Sequence, residues 1–284
     1  MILVVGGRSK IGSALISRLL EQGEQVRALA RSGEAGFPAE VQVTAGDLAN
    51  PESLANAMKH VDRVFLLCGP RPDEVALNRA AIDAASEARV ERLVRSSILG
   101  SDPDSPATFV RDHGACDAYL RAANIPYAIL RPNLFMQNIL ENTIPSIGKD
   151  GVFYANAGQA RISMVDTRDV GAVAAALLTE PDHAGAEVDL TGPEALAYRD
   201  VAAKLSQRLG RSVTYAEAAD DDVRTALAGY GMSSWLVDSL VELFQDYRRS
   251  GEDGYAAQIT DSIQRLTGRA PRTLDQLLGE ARGQ

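Results

Sequence analysis

The chain is poor in the cysteine and histidine that build a thiolate or imidazole metal centre or a disulfide framework, with two of the first and three of the second. Its 284 residues hold only two cysteines, Cys68 and Cys116, far apart and outside any CxxC or Cys/His ligand spacing. They read as structural thiols, and no metal is expected. No apolar run is long enough to cross a bilayer, and the first residues begin a strand rather than a signal peptide. No membrane partner and a cytoplasmic location follow as expectations. Positive charge is in deficit: 29 Lys and Arg face 38 Asp and Glu, a formal net charge of -9, which argues against nucleic acid as a partner. Tandem repeats and low-complexity linkers are also missing, so closely packed lobes are expected rather than independently moving domains.

What is there starts at once, in MILVVGGRSKIGSALISRLLEQG. Ile2 to Val5 read as a strand buried on both faces, Gly6 to Gly12 as a turn, and Ile11, Leu15 and Leu19 as the apolar stripe of a helix that Gly23 closes. That order suits a dinucleotide phosphate site, with the helix N-terminus facing pyrophosphate. Regular glycine spacing is nevertheless missing. Gly6-Gly7-Arg8-Ser9-Lys10-Ile11-Gly12 fits neither register of G-x-G-x-x-G, and in a looser G-x-x-G-x-x-G serine takes the middle place. The Ser9 hydroxyl then either donates to phosphate or caps the helix. A strand-turn-helix of another α/β protein, without nucleotide, is the competing reading of the loop.

A second strand, Gln25 to Ala30, ends at Arg31-Ser32 without the carboxylate that would grip a ribose diol. Arginine suits the adenosine 2′-phosphate instead, with Arg8 and Lys10 adding positive charge. NADP(H) is therefore favoured over NAD(H). Strands then alternate with helices: Val41 to Ala45, a helix capped by Asn50-Pro51 that runs to about His60, Arg63 to Cys68, Glu74 to Ala88, Arg92 to Ile98, Ala107 to Ala123, and Tyr127 to Arg131. This predicts an α/β, Rossmann-type, doubly wound parallel sheet with helices on both faces and a smaller, mostly helical C-terminal lobe. Residues 1–155 form the dinucleotide-binding domain, a segment at about 160–190 returns to it, and 193–284 cover the substrate. Met136 to Gln159 read as irregular, and Tyr255 to Leu266, Pro271 and a helix to Ala281 complete the small lobe. The Asp220-Asp221-Asp222 run reads as a solvated helix start.

The order VVGGRSKIG, VRALARS, AGDL, VFLLCG, LVRSSI, IPYAILRPNLFMQN and ISMVDTRDV, with Leu190-Thr191-Gly192-Pro193, resembles the NmrA-like branch of the atypical short-chain dehydrogenase/reductases along nearly the whole chain. The resemblance implies that Gly6 to Gly12 hold the pyrophosphate, Arg31 the 2′-phosphate, and Asp47-Leu48 the adenine edge. By the same resemblance Leu67, Cys68 and Gly69 with Ser96 and Ser97 flank the ribose and nicotinamide, and Pro132, Asn133, Leu134 and Phe135 close over the nicotinamide face.

The Tyr-x-x-x-Lys pair of the wider superfamily is absent. Phe109 and His113 stand in the corresponding helix, with Asp117 one turn beyond His113. Phenylalanine cannot donate a proton; His113 is the candidate catalytic and ribose-binding residue, as a donor titrating near neutrality or as a packing residue. Without a strong acid the chemistry favours an electrophilic acceptor: a quinone, an enone or a polycyclic aromatic ketone. The expected partner is thus a small aromatic or quinone substrate, met in detoxification or in aromatic natural-product tailoring. Phe135, Met136, Asn138, Phe153 and Tyr154, with Trp235, either line a flat apolar pocket or simply pack. The competing function is a non-catalytic dinucleotide sensor acting through a protein partner, and the oligomeric state stays open.

Overall fold

In the computed structural model, which describes residues 1–31 and 36–281, four consecutive buried apolar residues form β1 (Ile2–Val5) and the amphipathic run after the glycine turn forms α1 (Lys10–Glu21). Ser32 lies outside the described residues. There follow β2 (Val26–Ala30), β3 (Gln42–Ala45) and α2 (Pro51–Ala57), whose N-cap Asn50 accepts from Ser53 N–H. Next come β4 (Arg63–Leu66), α3 (Glu74–Glu87), β5 (Arg92–Ser96), α4 (Thr108–Ala122) and β6 (Tyr127–Pro132). A π-helical turn (Ile139–Thr143) runs into α5 (Ile144–Ser146), then β7 (Val152–Ala155), α6 (Thr167–Thr179) and β8 (Ala186–Leu190). The chain continues through α7 (Tyr198–Leu209), β9 (Thr214–Glu217), α8 (Asp220–Gly229), α9 (Ser234–Ser250), a 3₁₀ turn (Tyr255–Ala257), α10 (Ser262–Thr267) and α11 (Leu274–Glu280).

Seven strands pair in parallel in the order β3-β2-β1-β4-β5-β6-β8. The chain winds outward from β1 through β2 and β3, then returns to the other side of β1 with β4. In sheets of this topology ligands bind beyond the carboxyl ends of the strands at the reversal, here β1 and β4. Strand alternation sorts the side chains: Ile2, Val4, Phe65 and Val94 meet α1 and α6 on one face, while Leu3, Val5, Leu66 and Leu93 meet α2, α3 and α4 on the other. A Cβ on Gly171 would sit 2.8 Å from Ala14 Cβ, so glycine is what lets α6 lie so close to α1. A third cluster joins the start of α4 to α7, α9, α11 and β7, around Phe153, Tyr198, Val201 and Tyr247.

One segment differs from the sequence reading. Met136 to Gln159 is not irregular throughout, since it holds the π turn, α5 and β7. Glycines at 148, 151 and 158 hide the short inside-outside alternation of Val152 to Ala155, which pairs with β9. Tyr255 to Leu266 holds the 3₁₀ turn and most of α10. The Thr260 N–H donates to Thr191 Oγ1 at 2.9 Å and its hydroxyl to the Asp189 carbonyl at 2.9 Å, pulling the chain out straight beside β8 between the two short helices.

Candidate functional site

The turn after β1 is tightly built. Gly6 has φ +80°, and a Cβ there would lie 2.6 Å from the Leu67 carbonyl oxygen at the end of β4. A Cβ on Gly12 would overlap the Gly6 carbonyl oxygen and lie 2.7 Å from Gly7 Cα. Both positions therefore demand glycine, and together they draw the start of α1 against the strand ends. Ser9 is the N-cap, its Oγ accepting from Gly12 N–H at 3.0 Å, so the middle serine replaces glycine by a capping role. Its own O–H stays a donor, next to the first-turn N–H groups of Lys10 and Ile11 and the positive end of the helix dipole. That donor set fits a pyrophosphate.

Around the turn, the Arg8 guanidinium lies 5.3 Å over the Phe37 ring. Arg31 is exposed at the end of β2. Lys10 is engaged by Glu141 of the π-helical turn at 2.6 Å, an ion pair across the mouth of the turn that sequence spacing could not reveal. The Asp47 carboxylate accepts from Ala49 N–H at 2.9 Å, while its backbone is held by Ser53 Oγ; Leu48 beside it is half-buried. Leu67 and Cys68 are half-buried and Gly69 exposed. Burial pushes the Cys68 thiol up to about 12, with Glu74 adding to the rise, so at neutral pH it is not a nucleophile.

The residues after β6 turn inward. Asn133 is buried, and its amide donates to Ser163 Oγ at 2.9 Å and to the Ala256 carbonyl at 2.8 Å, pinning the strand end to the C-terminal helices. Its two N–H donors are thus committed to protein. Pro132 is buried, Leu134 and Phe135 half-buried, and Phe135 bridges to Val165. Of the substrate candidates, Met136 and Phe153 are each only 1% exposed and belong to the third core; Phe153 packs on Tyr198 and Tyr215. They are packing residues rather than lining, because β7 turns Phe153 inward and leaves Tyr154, 63% exposed, on the opposite side. Asn138 is half-buried. Trp235 meets Phe109 edge-on at 5.7 Å between ring centroids.

His113 corrects the expectation of a near-neutral proton donor. Arg95, fully buried on β5, donates from Nη2 to His113 Nδ1 at 3.0 Å. A guanidinium only donates, so Nδ1 is the acceptor and the neutral ring carries its proton on Nε2, which faces Glu74 Oε1 at 3.4 Å. Burial holds the imidazole well below its usual range, and the Arg95 charge pushes the same way. Both ring nitrogens face protein groups. Arg95 also donates to Asn78 Oδ1 at 3.0 Å and pairs with Asp117, whose other oxygen accepts from Ser97 and Ser101 hydroxyls at 2.8 Å each. Ser97 is thereby tied to Asp117, and Ser96 beside it is buried.

Sequence reasoning missed Arg95, Glu74, Asn78 and Ser101. A signal for the first existed: an arginine on the inward alternation of the apolar strand LVRSSI must find buried partners. The others lie on separate elements and become neighbours only through the fold.

The fold and the turn define a dinucleotide-binding protein of the α/β class. Residues 6–181 match a family model described as NAD(P)H-binding. An NAD(P)H azoreductase of Xenophilus azovorans is 36% identical over 276 residues, covering 96% of this chain and 95% of that protein. Quinone oxidoreductase 2 of Escherichia coli (strain K12) is 27% identical over 85% of this chain and 86% of its own length. The crystal structure of the NADPH-dependent quinone oxidoreductase of Escherichia coli complexed with NADPH gives a TM-score of 0.87 at 24% identity, covering 99% of both chains, a likeness of fold. This chain belongs to the NAD(P)H-binding family.

Proposed function

We propose that this NAD(P)H-dependent reductase takes NADPH as its preferred donor and passes hydride to a flat, electrophilic acceptor, a quinone or an azo-linked or otherwise conjugated arene. The observation that carries the reading is Phe109 against Trp235 where a reductase of simple ketones needs a tyrosine acid. With His113 turned between Arg95 and Glu74, neither Phe109 nor His113 presents a proton to an unactivated carbonyl. An acceptor whose reduced anion is stabilised by its own conjugation needs little acid catalysis and much positioning. The named activities of the azoreductase and quinone oxidoreductase relatives support the same acceptor class.

Bound NAD(P)H supplies the hydride. In this reading the turn from Gly6 to Gly12 and the α1 N-terminus hold the pyrophosphate, and Arg31 with Arg8 receives the 2′-phosphate. Leu67 to Gly69, Ser96, Ser97 and residues 132–135 surround the nicotinamide half. Phe109, Trp235 and Phe135 form the apolar side on which a planar acceptor lies.

The test is NADPH and NADH oxidation across simple and polycyclic quinones and azo dyes, with binding measured in parallel. Acceptor-dependent oxidation, faster with NADPH at equal concentration, is expected. Tight binding with no oxidation of any acceptor overturns the reading in favour of a non-catalytic sensor. Arg31→Ala is expected to weaken NADPH binding by about tenfold, the scale of one lost charge-assisted contact, and to leave NADH within about twofold. An unchanged NADPH/NADH preference removes Arg31 from the 2′-phosphate site.

A further inference from the structure

Glu74 sits in the first turn of α3, only 2% exposed, and its Oε1 has no hydrogen-bond partner. A buried carboxyl left so is costly unless it carries a proton or meets a positive charge. The charges around it come from three directions. From β5, the Arg95 guanidinium stands 4.0 Å away, already paired with Asp117. From α4 come His113, neutral and presenting Nε2, the Cys116 thiol pushed up to about 11 by burial, and Asp112, whose negative charge is shared with Arg111 at 3.4 Å. From the loop after β4 come Cys68 and the Arg71–Asp73 pair. Arg95 and Asp117 cancel, so the cluster is neutral with Glu74 protonated and carries one negative charge when it is not. The cluster lies where α3 and α4 meet the ends of β4 and β5, the strands whose following residues, Leu67 to Gly69 and Ser96 to Ser97, surround the nicotinamide half in the proposed function.

The two redox forms of a nicotinamide dinucleotide share every phosphate and differ by one positive charge on the ring. We infer that Glu74 is a redox-linked proton binder, a positioning residue that keeps its proton while reduced dinucleotide is bound and releases it when the oxidised form occupies the site. The inference rests on the proposed function. Its physical content is Coulombic: in a partly desolvated site a carboxylate lowers the free energy of the oxidised complex relative to the reduced one, and the ring charge in turn favours the carboxylate. Burial pushes Glu74 up to about 7, against the pull of Arg95 and with the help of Asp112, so its proton is exchangeable in the neutral range. With Arg95 already neutralised and His113 neutral, Glu74 is the group of this cluster that changes charge there.

The test compares the dissociation constants of NADP⁺ and NADPH at pH 6.5, 7.5 and 8.5 for the wild type and Glu74→Gln. The 2′-phosphate titrates in both nucleotides and cancels in the ratio. For the wild type the NADP⁺/NADPH ratio of Kd is expected to fall with rising pH, about tenfold over the interval, within the limit of tenfold per pH unit that one released proton sets. In Glu74→Gln the ratio stays within about twofold, the behaviour of a site with no titrating carboxyl. Calorimetry of the wild type at pH 6.5 in buffers of different ionisation enthalpy is expected to show proton release with NADP⁺ in excess of that with NADPH, and it needs no variant. A flat wild-type ratio with no excess release overturns the inference alone; an equal fall in Glu74→Gln does the same. Failure to bind either nucleotide overturns the proposed function with it.

Discussion

Replacing Arg95 by methionine is expected to lower the unfolding free energy by about 3–5 kcal/mol, the cost of removing one partner from a buried ion pair. The side chain is fully buried, and its guanidinium serves Asn78, His113 and Asp117 at once. Methionine fills much of the space but leaves a buried carboxylate at Asp117 facing two hydroxyls and no cation. Urea unfolding at pH 8 measures the loss directly. The loss should be smaller at pH 5, and the sign follows from Glu74. A carboxyl whose folded pKa is raised contributes stability that is fully present below its unfolded value of 4.5 and is lost as pH rises through about 7. Arg95 limits that loss by its pull on Glu74, so its removal is felt most above pH 7. Asp117→Asn combined with Arg95→Met should recover part of the deficit, because the uncompensated carboxylate goes with it. An Arg95→Met protein as stable as the wild type at pH 8 would show that the cluster does not hold α3 and α4 to β5.

What the sequence disclosed and what it hid divide along a physical line. The β1-turn-α1 unit, the Asn50 cap and the alternation of β4 through β6 were legible because each rests on neighbours within a few residues. So was family membership, since the strand-end segments that carry the resemblance are local strings. Contacts that depend on chain return were not legible. Lys10 meets Glu141, Asn133 reaches Ala256, and Arg95 gathers residues from α3 and α4; no periodicity announces such pairs. His113 stayed open between a proton donor and a packing residue for that reason. A histidine on a helix looks titratable until the arginine of an adjacent strand fixes its tautomer and burial lowers its proton affinity. Phe153 and Met136 were ambiguous in sequence because an apolar residue near a cleft and one in a core have the same composition, and burial alone separates them.

Gly12→Ala is expected to weaken NADPH binding by at least about 100-fold, which at 1.4 kcal/mol per tenfold is close to 3 kcal/mol. The cause is steric. The added methyl would occupy the place of the Gly6 carbonyl oxygen and lie 2.7 Å from Gly7 Cα, both backbone and unable to swing aside. The start of α1 must therefore lift from the strand ends. The Gly6 carbonyl is itself held in place, accepting from Ser9 N–H at 2.9 Å. With the helix displaced, the Ser9 cap and the first-turn donors no longer converge with the turn, and the pyrophosphate loses several contacts together. The fold should survive with a loss of about 1–3 kcal/mol, the usual cost of overpacking, because the sheet and the α1–α6 contact do not run through this atom. Gly279→Ala is the matched control: it lies in α11, a Cβ there meets nothing within 4 Å, and helix propensity favours alanine by up to about 1 kcal/mol. Its NADPH binding should equal that of the wild type. A Gly12→Ala protein that binds NADPH normally would mean that the turn after β1 is not the phosphate site, and the donors at the α1 N-terminus would then have to serve another anion.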